Sequence, residues 1–338
     1  MSGSAPDRAA APAASAWLVW AALLVIYVVW GSTYLAIALV VQTMPPLLAA
    51  SFRFVLAGLI MAGFLLLRRG PRALRLTRAE LAGSAFVGLA LLLGGNGMVM
   101  LGQRSVPSGL AALIIAVVPL WVVVLRLVFG ERVARGTLVG VAVGFAGVAV
   151  LVVPRGISGT VELAGMLLLV AAAASWAVGS YWSNRLSLPR DPFTSTAAQL
   201  VTGGIGLAVV GLAAGELGLL ERAQFSSASV IGLVYLVSFG SILAYTAYTW
   251  LLQHAPVSKV ATYAYVNPVV ALLLGVLVLN EEVGLTMVIG GAMIVVAVGM
   301  VIRTEARPRR SVGALEAPPA QAALSRRWRL PTRFGGGR

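Results

Sequence analysis

Apolar residues do not alternate with polar ones along this chain; they come in long runs. Stretches of about 19 or more residues with few charges recur along most of its length, and that length crosses a hydrocarbon core of ~30 Å as an α-helix. The runs predict helices over residues 17–41, 45–67, 79–101, 106–128, 134–153, 163–184, 193–213, 228–252, 256–279 and 285–303. A soluble helical protein would need polar faces on its outer helices, and these runs are apolar nearly all round. A strand barrel would need a period of two, which is missing. Gly94, Gly95, Pro119 and Pro268 fall inside runs, where both residue types are commoner than in soluble helices. The predicted fold class is therefore an all-α membrane protein of ten transmembrane helices. The first run follows Arg8 and holds a small-residue Ala36-Ile37-Ala38 tripeptide, two features of a secretory signal. It reads as a helix instead, because it reaches Val41 and the tripeptide lies inside the run rather than after it.

Composition agrees with the pattern. Of 338 residues, 59% are hydrophobic and 11% charged, against roughly 25% charged in soluble domains. There is no cysteine, which removes disulfides, thiolate metal ligands and thiol catalysis. The net charge of +14 reads as topology rather than as nucleic-acid binding, because basic residues collect in alternate loops. Arg68, Arg69, Arg72, Arg75 and Arg78 follow the second run, Arg132 and Arg135 the fourth, Arg185 and Arg190 the sixth. The opposite loops hold only Arg104, Arg155 and Arg222, so both termini are expected in the cytoplasm of a cell with an inner membrane. Residues 1–16 form a short tail, and residues 304–338 a basic tail expected to be disordered. That second tail either only fixes topology or lies on anionic lipid, with Trp328 between Arg327 and Arg329 as an anchor.

The two halves answer one another. Pro107, Pro119 and Glu131 recur as Pro256, Pro268 and Glu281, with a proline-to-proline spacing of twelve in both copies. Trp30 answers Trp176, and Gly140 answers Gly290. The chain thus reads as a five-helix unit repeated, over 17–153 and 163–303. An odd helix count forces the second copy to enter the membrane from the other side. Inverted repeats of this kind suit alternating access about a site near the midplane, which a channel does not need.

In their order and duplication, several segments resemble a known family. They are Trp30-Gly31-Ser32, Arg53, Gly95-Asn96, the stretch from Pro119 to Gly130-Glu131, Trp176, and Gly240-Ser241 through Tyr265-Val266-Asn267-Pro268 to Glu281. The resemblance is to the drug/metabolite transporter superfamily, in its ten-helix EamA-type branch, over nearly the whole chain to about residue 303. It implies two EamA domains, a bundle with a central cavity, and export of metabolites or drugs. The first copy is one residue shorter between its proline and its glutamate. The small four-helix multidrug relatives use a glutamate in helix one, and this chain has none there.

Polar residues inside the runs are the candidate site, because they are expensive in lipid. Tyr235, Ser238, Ser241, Tyr245 and Tyr248 fall at helical spacing on the eighth helix, a stripe that faces either a cavity or hydrogen-bonding neighbours. Lys259, Tyr263 and Asn267 share a face of the ninth, before Pro268, which leaves the Ala264 carbonyl without its helical donor. Pro119 repeats the kink in the fourth; each proline either gates or merely bends its helix. Helix one presents Tyr27, Trp30 and Tyr34, and helix three Asn96 and Gln103. With Trp176, these aromatic faces and amides suit an amphipathic or aromatic solute, although Tyr27 serves packing equally well. Gly140, Gly144, Gly147, Gly290 and Gly291 read as helix-packing residues within the chain. Arg126 can snorkel, whereas Arg53 lies deep, costs about 2.5 kcal/mol or more on insertion scales, and either attracts an anionic solute or bonds helix carbonyls.

Enzymes are disfavoured by the same inventory. The single histidine, His254, sits near a helix end, HExxH is missing, and Asp7 and Asp191 lie in a tail and a loop. No P-loop, metal site or cofactor site is legible, and none is expected. What remains is a secondary transporter that exports a metabolite, amino acid or drug, its partners being that small solute and membrane lipid. A monomer suffices, and coupling to protons or to exchange stays open; proton coupling would have to use Glu131, Glu281, Glu282, His254 or the solute's own charge. A non-transporting receptor or scaffold is the alternative. The topology is testable: reporters fused after residue 310 should give signal only from the cytoplasm-active form, and periplasmic activity there overturns the ten-helix arrangement.

Overall fold

The computed structural model describes residues 15–158, 163–183, 185–222, 224–255, 257–260 and 262–306. Most of the N-terminal tail, the basic C-terminal tail from 307 and Pro256 lie outside them. The described chain forms helices joined by short turns, with no strand among the described residues. The transverse helices are α1 Ala16–Val40, α2 Pro46–Arg69, α3 Arg78–Gly102, α4 Ser108–Val128 and α5 Arg135–Ser158. They continue as α6 Leu163–Ser183, α7 Pro192–Ala213, α8 over 227–254, α9 Tyr263–Leu279 and α10 Leu285–Ala306. Nine of these stretches are long and apolar enough to cross a membrane among the described residues. The tenth, α9, has 17 residues, about 25 Å at the helical rise. The predicted ninth run from 256 to 279 is divided here, because a short helix Val257–Val260 ends before α9 starts at Tyr263. Apolarity continues through that turn, so composition could not register it.

Helix starts are set by acidic or hydroxyl caps. Thr77 and Glu80 form a reciprocal capping box at α3, and Asp191 accepts the Thr194 amide at α7. α2 and α4 begin after Pro45 and Pro107, which offer no side-chain cap, so carboxylates arrive from elsewhere in the chain. Glu216, buried in the short helix Glu216–Arg222, accepts the amides of Leu47 and Leu48 at 3.1 and 2.8 Å. Glu281 accepts those of Ser108 and Gly109 at 2.6 and 3.0 Å. A negative charge at a helix N-terminus satisfies otherwise orphaned donors and suits the helix dipole.

Packing follows a twofold rule. α2 packs on α7 and α5 on α10; α1 packs on α9 as α6 does on α4; α3 packs on α6 as α8 does on α1; and α2 meets α8 as α7 meets α3. Advancing every helix number by five maps these pairings onto themselves. The glycines show it at atomic scale. A Cβ on Gly58 would meet Val201 at 2.8 Å, and one on Gly204 would meet Val55 at 2.7 Å. On the other pair, Gly140 would meet Val301 at 3.0 Å and Gly290 would meet Leu151 at 2.7 Å. Gly211 faces Leu47 while Gly58 faces Val201, so α2 and α7 run antiparallel, as inverted copies must. The glycine runs in α5 and α10 therefore bind helices within the chain. Around this frame Phe54, Leu110, Ile114, Leu120 and Leu169 are buried, while Leu24, Phe64, Val209, Leu273 and Val296 turn outward. Such outward apolar side chains suit lipid, which is the solvent the long runs require.

The glycine contact yields a stability test. Gly58→Leu should destabilise the detergent-solubilised protein by roughly 1–3 kcal/mol through overpacking against α7. Gly63→Leu on the same helix, where nothing lies within 4 Å of the added Cβ, should melt near the parent. Thermal unfolding monitored by size exclusion reads the difference, and equal melting would contradict the tight α2–α7 crossing.

Candidate functional site

The third helix of each half departs from α-geometry at the same place. α3 is π-helical over Leu89–Gly97 and α8 over Leu236–Leu243. A π turn bonds five residues back, widens the helix and redirects carbonyls, and such turns concentrate at functional sites. Side chains from the first helix of the opposite half take up these carbonyls. Trp30 Nε1 on α1 donates to the Gly240 carbonyl at 3.2 Å, and Ser175 Oγ on α6 donates to that of Ala90 at 2.8 Å. Trp176 rests on Gly95, where a Cβ would come within 2.7 Å of its ring, so glycine is needed for that approach. Two tryptophans thus lie against two π turns.

Between them is a cavity of about 120 Å³. Trp30, Tyr34, Asn96, Trp176, Tyr245, Tyr263 and Asn267 supply its aromatic and amide surface, and Pro119 and Pro268 lie on its wall. Trp30 anchors the aromatic side: its ring centroid is 5.6 Å from Tyr245 and 5.2 Å from Tyr263, both edge to face. α4 is interrupted here, its first part ending at Ile115 and its second beginning at Val118, next to Pro119. With its amide nitrogen turned toward the neighbouring oxygens, buried Asn267 donates to the carbonyls of Tyr27 on α1 and Tyr263 on α9, both at 3.2 Å. A single side chain therefore ties α1 to α9 one residue before the Pro268 kink.

Arg53 enters the cavity from α2. It is 4% exposed; its Nε donates to Ser241 Oγ at 2.9 Å, and its guanidinium carbon stands 4.5 Å from the Phe54 ring centre. Gly240 leaves room for it, since a Cβ there would lie 3.2 Å from Nη2. Among the described residues, Nη1 has no hydrogen-bond partner and no lining residue is acidic.

With this geometry in view, the likenesses to known proteins are specific. The model of the EamA-like transporter family matches residues 16–153 and again 163–303. The chain belongs to this family. It is 38% identical over 258 residues to the "Uncharacterized inner membrane transporter YedA" of Escherichia coli strain K12, covering 76% of this chain and 81% of that one. It is 28% identical over 292 residues to the "Probable amino-acid metabolite efflux pump" of Salmonella typhimurium, covering 81% and 91%. A solved crystal structure shares the fold with a TM-score of 0.60 at 21% identity, covering 86% of this chain and 98% of that one.

Several residues expected in the EamA-like site stand elsewhere. Ser241 is fully buried behind the wall, where it holds Arg53. Tyr248 backs the Trp30 ring at 5.1 Å and does not line the cavity. The expected hydroxyl stripe on α8 is broken. Ser238 is exposed on the outside, because the π turn between it and Tyr235 shifts the register that a spacing of three or four assumes. Tyr235 bonds Ser32 at 2.6 Å instead. Lys259 is cut off from the Asn267 face by the turn before α9, and its ammonium lies 4.1 Å from the Trp20 ring centre. Tyr27, read as packing or lining, bonds the Thr262 hydroxyl and joins α1 to that same turn. Gln103 donates to the Tyr34 carbonyl at 3.0 Å and stays off the lining. Small lining residues such as Thr33, Ala112, Ala116 and Ala264 carried no signal, since their role is to leave space.

The equivalent glutamates have different surroundings. Glu281 is spent on the N-terminus of α4. Glu131 pairs with Arg126 at 2.8 Å and Arg185 at 2.5 Å and accepts from Tyr181 at 3.1 Å. The Arg126 hydrogen bond, aided by Tyr181 and Arg185, holds its carboxyl below the ordinary range despite some desolvation, so it stays ionised at neutral pH.

Proposed function

We propose that this EamA-like protein is a secondary transporter that moves a small metabolite out of the cell by alternating access through the central cavity. The observation that carries the reading is the cavity's position: it lies where repeat-related helices meet, and interrupted or π-distorted segments of α3, α4 and α9 reach it, with Tyr245 just past the π turn of α8. Discontinuous helices at the junction of inverted repeats are the usual setting of a transported solute. The relatives' names, one of them an amino-acid metabolite efflux pump, support export from an inner membrane, and the arginine-rich loops favour a cytoplasmic side for both termini. No catalytic role is assigned, since the cavity holds neither a nucleophile–base pair nor a carboxylate.

Two predictions test this. Asn267→Leu removes donors to two carbonyls in a low-dielectric site, at about 1–3 kcal/mol per group left unpaired. Solute efflux from proteoliposomes at matched protein content should fall tenfold or more while membrane insertion stays normal; parent-like flux would remove the cavity from the pathway. The second concerns alternation. α4 is interrupted after Ile115, whereas the turn in its counterpart follows Val260, so equivalent helices hold different shapes that alternation would exchange. The chain has no cysteine, and Gly109 on α4 abuts Leu272 on α9, where an added Cβ would lie 3.1 Å from the Leu272 Cα, so a cysteine pair here can cross-link the two helices once the backbones give by a few tenths of an ångström. Gly109→Cys with Leu272→Cys should stop transport when oxidised and recover with a thiol reductant. Transport at the parent rate by the oxidised pair would show that this face never opens.

A further inference from the structure

We infer that the central cavity takes a compact organic anion, and that Arg53 is the residue that binds its charged group. This deepens the transporter reading and rests on it for the solute's being carried. Arg53 is almost wholly buried, yet its one side-chain acceptor is the neutral hydroxyl of Ser241. Among the described residues no carboxylate pairs with it, and the cavity wall is free of acidic side chains. A guanidinium cannot shed its proton at ordinary pH, so its charge must be answered by something that enters. If Arg53 served only to bond the framework, its remaining donors would be spent on it. Nη1 is not; it is buried, unpartnered, and belongs to a side chain on the cavity wall.

The remaining surface describes the rest of the solute. A guanidinium edge suits the two oxygens of a carboxylate better than a single hydroxyl or carbonyl. Trp30, Trp176, Tyr34 and Tyr263 offer ring faces and edges, and Asn96 and Asn267 are the amides. The volume of about 120 Å³ is near that of the cavity of ~150 Å³ known to hold benzene, so one ring or a short branched chain fits. A cationic solute finds no carboxylate to pair with and meets Arg53 within a few ångströms. A solute with a free carboxylate or similar anionic group on a compact, partly apolar body satisfies the site.

The test uses the purified full-length protein and three probes of nearly equal size and different charge at pH 8: benzoate, benzamide and benzylamine. Quenching of tryptophan fluorescence, with calorimetry as a check, should show benzoate binding at least tenfold more tightly than either of the others. Arg53→Gln should abolish that preference, and Arg53→Lys, which keeps the charge but not the fork, should retain part of it. Ser241→Ala frees Nε without removing the charge, and so should keep the preference even if Arg53→Gln proves unstable. Equal binding of the three probes, failure of benzoate to bind below millimolar concentrations, or an undiminished preference in Arg53→Gln overturns the inference. Proteoliposome flux separates it from the transporter reading. If benzylamine is carried equally by the parent and by Arg53→Gln, the anion site is wrong and transport stands. If benzoate binds with the stated preference but neither solute moves faster than through protein-free vesicles, the site stands and the transporter reading falls.

Discussion

In hydrocarbon, a backbone amide or carbonyl without a partner costs several kcal/mol, so any departure from the α-helix must be answered by a side chain or must face a polar space. The arrangement of this bundle follows from that. The two π turns redirect carbonyls, and Trp30 and Ser175 meet two of them; Asn267 meets two more beside a proline that breaks the ladder. These are the polar residues that lipid would exclude, and they converge because the backbone irregularities converge. The cavity is thus where the chain gathers its irregular backbone, and the lining chemistry comes with it.

Twofold packing explains why irregularities occur in pairs. Once a five-helix unit is duplicated in opposite orientation, whatever bends one copy bends the other across the axis: α3 with α8, and α4 with α9. The pairs that hold the frame, α2 with α7 and α5 with α10, match at their crossings, where Gly58 answers Gly204 and Gly140 answers Gly290. The kinked pair does not match, since the turns fall at different places relative to Pro119 and Pro268. The straight pairs and the π-distorted pair obey the symmetry and the α4–α9 pair departs from it, which under the proposed alternating access would divide the bundle into scaffold and moving parts. The glutamates divide likewise: Glu281 closes on a helix start, and Glu131 is held by two arginines.

Much of this was legible in the sequence, for a physical reason. Apolar length, arginine placement and proline spacing are statements about single positions, and lipid enforces them residue by residue. The helices, the duplication and the aromatic and amide part of the cavity wall, including Trp30, Asn96, Trp176 and Asn267, were accessible in that way. What escaped depends on backbone hydrogen-bond register, which composition does not encode. The α8 stripe assumed 3.6 residues per turn, and the π turn sent Ser238 to the outside and put Ser241 behind Arg53. Lys259 was misplaced by a turn that neither glycine nor proline marks in the sequence. Caps supplied from a distance, as by Glu216 at α2, leave no local pattern at all.

The placement of Arg53 joins these threads. It stands on α2, five residues from the glycine at which α2 closes on α7, and so on the part of the bundle that keeps its symmetry. Its Nε is fixed by Ser241 in the π turn of α8, and Gly240 leaves the room its head group needs. The bent helices α4 and α9 reach the same cavity from the other sides through Ala112, Pro119, Asn267 and Pro268. On the proposed reading, the charge that would bind the solute stays fixed in the frame while the kinked walls change shape around it. Such alternation would not move a buried cation through lipid, the most expensive motion available to a membrane protein. A cation carried on α4 or α9 would have to change its surroundings in every cycle. Placed on α2, it changes only its partner.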